Sequence, residues 1–182
     1  MEMTMTLKAS WKESLLQNLS LPTSLTNNEL PRVAIVGIGN EFNGDDAVGV
    51  WVARRLEARE FSVDAGHVLV IEAGQAPENI TGLLRRFMPQ VVLLIDAAQM
   101  NAAPGHVAWI PWETTTGLSA SSHSLPLSMM ARYLVLEFSC SVFLLGIQPA
   151  QNQPNAGLSP LAQAAVEDIC QTLIETLFVP ER

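Results

Sequence analysis

Two adjacent aspartates, Asp45 and Asp46, lie in the glycine-rich stretch "GIGNEFNGDDAVG" at residues 37–49. A third, Asp96, ends the apolar run "VVLLID", and His123 stands in the polar segment "SASSHSLPLSMM". Two carboxylates and one imidazole suit a borderline divalent cation and leave open positions for water or substrate. Asp46, Asp96 and His123 form such a set if three loops converge. Each residue also has a structural alternative. A carboxylate at a helix entry satisfies free backbone N–H groups and complements the helix dipole, which accounts for Asp45 and leaves Asp46 without a structural duty. Asp96 alone reads equally as a turn or capping aspartate, and a lone histidine is more often structural than a ligand. Glu72 occupies the place equivalent to Asp96 one strand earlier.

Phosphate binding is the competing chemistry for a glycine-rich turn. The dinucleotide fingerprint needs a third glycine at position 42, where Phe42 stands, and a Walker-type loop needs Lys followed by Ser or Thr, which the chain lacks. Two acids at a helix entry also repel a phosphate. Thiol chemistry is disfavoured as well. Cys140 and Cys170 form no Cys-x-x-Cys pair, lie far from any histidine in sequence, and read as buried small hydrophobes.

The elements that must position these residues follow from periodicity. Residues 33–36 read as a buried strand, and Ala47, Val48, Trp51, Val52 and Leu56 recur at helical spacing. Residues 68–72 give a second strand, Pro77 starts a helix carrying Ile80, Leu83, Leu84 and Phe87, and residues 91–96 give a third strand. Residues 106–110 read as a short antiparallel or edge strand after the Pro104-Gly105 turn. A polar loop at 113–122 precedes a helix at 125–138, a strand at 141–146 and a last helix at 160–178. The alternation predicts a three-layer α/β/α sandwich on a five-stranded, mostly parallel sheet.

Ligands in open α/β sheets gather outside the carboxyl ends of the strands. The turns to inspect are therefore 37–46, 72–75, 96–98 and 146–149, which supply Gly39, Asn40, Gly74 and Gln148 as candidate substrate-loop residues. His67 and His106, at predicted strand starts, are expected at the opposite edge.

At 182 residues with a formal net charge of -8, the chain fits one domain, residues 31–182, preceded by an extension over residues 1–30. In that extension Ser10 and Glu13 have capping-box spacing, and Trp11, Leu15, Leu16 and Leu19 share a helical face, so it is either a docked short helix or disordered. The acidic balance argues against nucleic acid and anionic membranes as partners. No apolar run approaches the ~18 residues of a membrane span, and no signal sequence is evident, so the expectation is a cytoplasmic protein, with a monomer preferred.

The stretches "GIGNEFNGDDAVG", "GQAPEN" (74–79), "LLIDAAQMNAAPGHV" (93–107), "SSHSLPL" (121–127) and "LLGIQP" (144–149) occur in one order across residues 33–177. In these the chain resembles the NiFe-hydrogenase maturation endopeptidases, most closely the branch serving formate-hydrogenlyase-type hydrogenases. The resemblance implies an aspartic-type endopeptidase that removes a short C-terminal peptide from a nickel-loaded large-subunit precursor. It also implies that Asp46, Asp96 and His123 bind nickel brought by that precursor, with Asp46 and Asp96 as catalytic carboxylates or as ligands only. Two features depart from the family pattern. One is the N-terminal extension. The other is Glu41, a charge that either tunes metal binding or faces water. The rival functions are a nickel chaperone or scaffold that cuts nothing, and a nucleotide- or peptidyl-tRNA-binding α/β hydrolase.

Overall fold

The computed structural model describes residues 10–19, 30–59, 65–114 and 126–178. Its five strands are β1 (Val33–Ile38), β2 (Val68–Gly74), β3 (Val91–Ala97), β4 (Val107–Ile110) and β5 (Ser141–Ile147). The helices are α1 (Trp11–Leu19), α2 (Val48–Glu57), α3 (Thr81–Phe87), α4 (Leu127–Phe138) and α5 (Pro160–Leu177). The strands form a single sheet in the order β2-β1-β3-β5-β4. All pairs are parallel except β4 with β5.

Every residue of β1 and β3 is buried, as expected of strands covered on both faces. Successive side chains point to opposite sides of the sheet. Val91, Leu93 and Ile95 therefore pack with α1, α2 and α5, whereas Val92 and Leu94 pack with α3 and α4. This is the three-layer sandwich that the periodicity predicts.

Helix entries depart from the sequence reading in detail. A 3-10 turn at Gly44–Ala47 precedes α2, and another at Pro77–Ile80 precedes α3. Pro126 caps α4, which begins at Leu127. At α5 the hydroxyl of Ser159 accepts the N–H of Ala162 at 3.2 Å, with Pro160 at the first helical position where its missing N–H costs nothing.

α2 lies close to the sheet because its second residue is a glycine. A Cβ on Gly49 would stand 2.1 Å from the carbonyl oxygen of Ile95 and 2.3 Å from that of Ile38. The close helix-to-strand approach that a dinucleotide fold obtains from its third glycine is made here by Gly49, which leaves position 42 free to carry the exposed side chain of Phe42.

α1 is a docked helix. The Ser10 N–H donates to Glu13 Oε2 at 2.8 Å and the Glu13 N–H to Ser10 Oγ at 3.2 Å, a reciprocal capping box. Leu15 and Leu19 are buried in the core shared with α5, and Lys12 pairs with Asp168 of α5. Leu15→Ala should lower stability by about 2–3 kcal/mol, the usual cost of emptying a Leu site. Urea denaturation would show this.

Candidate active site

β1, β3 and β5 are in register, so their carboxyl ends open on one edge of the sheet, and Asp96 stands there as the penultimate residue of β3, paired with Gly146. One Asp96 oxygen accepts the N–H of Ala97 at 2.8 Å. The other accepts no hydrogen bond from the described residues.

The turn after β1 brings up the second carboxylate. Gly39 has φ +138°, and a Cβ there would meet the Asp46 carbonyl oxygen at 1.8 Å, so only glycine lets the chain turn at this point. The Gly39 N–H donates to the Gly74 carbonyl at 3.0 Å, tying this turn to the end of β2. Asn40 then donates its backbone N–H to Asp46 Oδ2 at 3.2 Å, while its side-chain oxygen accepts the Phe42 N–H at 3.0 Å. Asp46 is 3 % exposed and Asp96 7 %.

Burial raises the pKa of Asp46, opposed by the Asn40 N–H and the Asn43 side chain. Burial, then repulsion from Asp46, pushes Asp96 up to about 8. Two buried carboxylates that repel one another, with no cation among their hydrogen-bond partners in the described residues, gain from a positive ion nearby. Their oxygen donors fit a divalent metal that also takes an imidazole. His123 lies outside the described residues. Among those residues no three His, Cys, Asp or Glu side chains stand together as a metal site, so Asp46 and Asp96 are the part of the proposed set on view.

Asp45 corrects the sequence reading. It caps neither the 3-10 turn nor α2. Fully buried, it reaches across the site edge instead. One oxygen accepts the Ala150 and Gln151 N–H groups at 2.8 and 3.2 Å and the Ser159 hydroxyl at 2.8 Å, and the other accepts the Ser159 N–H at 2.6 Å. The first aspartate of the pair thus fastens the β5–α5 connection to the glycine turn, and the second lies near enough to Asp96 to oppose its charge.

Gln148 is also buried. Its side-chain oxygen accepts the Met100 and Ala102 N–H groups at 2.7 and 3.3 Å, and its amide donates to Gln99 Oε1 at 2.8 Å. It shapes the loop that follows Asp96. Glu41 and Glu72 both pair with Arg54, at 2.8 and 2.7 Å, so Glu41 belongs to an exposed ion-pair network and Glu72 does not line the carboxylate site.

His106 is a second correction. β4 runs antiparallel, so its start lies at the carboxyl edge, where Val107 pairs with Ile147 and the His106 carbonyl accepts the Gln148 N–H at 2.8 Å. β5 separates it from β3. His67 precedes β2 at the opposite edge, as expected. The thiols are buried and remote: Cys140 precedes β5 at the amino edge, and Cys170, inside α5, is pushed up to about 11 by burial. Neither can supply a thiolate nucleophile here.

The fold is an α/β sandwich that brings two buried carboxylates to the carboxyl edge of its sheet. The HycI hydrogenase maturation protease model matches residues 50–176, a span that includes Asp96 and His123 and begins just after Asp46. A Methanocaldococcus jannaschii protein named as a hydrogenase maturation protease is 37% identical over 123 residues, 65% of this chain and 72% of its own. The Hydrogenase 3 maturation protease of Escherichia coli is 32% identical over 113 residues, 62% of this chain and 69% of its own. The crystal structure of a NiFe hydrogenase maturation protease, HycI, from Thermococcus kodakarensis superposes with a TM-score of 0.73 at 32% identity, covering 81% of this chain and 92% of that one. The chain belongs to the hydrogenase maturation protease family. It is therefore a hydrolase that acts on peptide bonds, which sets aside the scaffold and the nucleotide-binding readings.

Proposed function

We propose that this protein removes the C-terminal peptide of a nickel-loaded NiFe-hydrogenase large-subunit precursor, and that nickel enters the site as part of that substrate. The observation that carries this reading is the buried Asp46–Asp96 pair, whose repulsion a cation relieves. His123 supplies the third donor. Docking of the loaded precursor on these three side chains holds its tail across the strand ends, so that hydrolysis becomes a positioned, nearly intramolecular event. Asp46 or Asp96 would act as the general base on the attacking water, an aspartic-type mechanism without a covalent intermediate, and nickel held by Asp46, Asp96 and His123 would supply Lewis-acid polarisation. Gly39, Asn40, Gly74 and Gln148 shape the turns that border the tail, Asn40 by its hydrogen bond to Asp46 and Gln148 through the loop after Asp96.

The net charge of -8 favours a protein partner over nucleic acid. No helix among the described residues is long and apolar enough to cross a membrane. The protein acts as a monomer in the cytoplasm.

The test is intact-mass spectrometry of the large-subunit precursor, nickel-loaded and nickel-free, after incubation with this protein. Loss of a C-terminal peptide from the loaded form alone is expected, whereas equal loss from both forms would overturn the nickel requirement. His123→Ala should reduce processing at least about a hundredfold with an unchanged circular dichroism spectrum. Full activity in that variant would remove His123 from the site.

A further inference from the structure

We infer that Phe42 is a specificity-determining contact for the polypeptide cut at this site, its ring receiving an apolar side chain of the precursor's C-terminal segment. The inference rests on the proposed function above. A single exposed hydrophobe is ordinary on a protein surface. Phe42 differs in where it is held. It is 62 % exposed, and it sits in the turn that also carries Asn40 and Asp46.

Both backbone groups of Phe42 are fixed. Its N–H donates to Asn40 Oδ1 at 3.0 Å, and its carbonyl accepts the N–H of Asn155 at 2.6 Å. Asn40 in turn donates to Asp46 at 3.2 Å. The ring therefore stands on a turn braced from two sides, linked to a site carboxylate through two hydrogen bonds. An aromatic with a pre-ordered backbone loses little entropy on binding, which makes it an effective anchor.

The charge beside the ring is already compensated, because Glu41 pairs with Arg54 at 2.8 Å. Trp51, the other large aromatic exposed on the adjoining helix, has the Arg54 guanidinium 5.8 Å from its ring centroid. The turn consequently offers a bare apolar ring, which suits an apolar side chain of the bound tail.

The test compares steady-state cleavage of the nickel-loaded precursor by the unaltered protein, Phe42→Ala, Phe42→Leu and a control, Leu136→Ala. Leu136 is 73 % exposed and lies near the C-terminus of α4, at the amino edge of the sheet, away from the site. Phe42→Ala should raise KM about ten- to a hundredfold, the range for leaving one Phe side chain in water. The cleavage rate at saturation and the melting temperature should not change. Phe42→Leu should restore most of the affinity, and Leu136→Ala should match the unaltered protein.

An unchanged KM in Phe42→Ala overturns the inference. So does a loss confined to kcat, which would mean that the ring acts through Asp46, or an equal rise in KM for Leu136→Ala. Failure of the unaltered protein to cut the loaded precursor would sink the parent reading and this one with it. Cutting by the unaltered protein with no KM effect at Phe42 sinks this inference alone.

Discussion

Asp96→Asn is expected to make the free protein more stable at neutral and mildly alkaline pH while lowering precursor cleavage at least about a thousandfold, the scale of removing one group from a preorganised site. Unfolded, Asp96 ionises near 3.8; folded, it keeps its proton up to about 8 because burial and Asp46 oppose its charge. Between those values the native state binds the extra proton, so this residue's contribution to stability falls as pH rises through the window. That contribution is fully present below the unfolded value and is lost by about 8. Asn cannot ionise. The variant should therefore show a flatter stability profile across this range and a gain on the order of a few kcal/mol at its upper end. Urea titrations at several pH values would measure both. Identical pH profiles for the two proteins would contradict the raised ionisation of Asp96.

Asp45→Ala should cost about 4–6 kcal/mol, because it strands four donors that together join two loops. Asp45→Asn should fail to rescue it. Donors reach both carboxylate oxygens, and an amide nitrogen at either position would confront an N–H. Chemical denaturation measures the stability loss. Cleavage should fall in parallel, since the glycine turn that presents Asp46 is held by the same contacts. A nearly neutral Asp45→Asn would show that the carboxylate is not required.

The layered fold was legible in the sequence because buried strands and amphipathic helices leave different periodicities, and the short, β-branched run ending at Asp96 reads as an interior strand. The partners of Asp45 were not legible. They lie 105 to 114 positions away, at Ala150 and Ser159, and nothing in a local pattern reports such a contact. Helix-entry preference suggested a cap, and tertiary hydrogen bonds replaced it. His106 was misplaced because a strand's start identifies an edge only when its direction is known, and among the described strands β4 is the one that reverses. The role of Gly49 did leave a signal, its place at the start of a helix after a glycine turn, but only the approach of the Ile95 carbonyl shows why no larger residue fits.

β3, paired on both sides and buried along its length, carries Asp96 at its end. Segments of that kind are the last to exchange their amide hydrogens, opening only when the molecule as a whole unfolds. Asp96 is thus anchored in the slowest-opening part of the chain, whereas Asp46 belongs to a buried 3-10 turn held by hydrogen bonds between loops rather than by sheet pairing. The two carboxylates therefore depend on different parts of the fold: opening of the loop contacts would release Asp46 while Asp96 stays in the paired sheet.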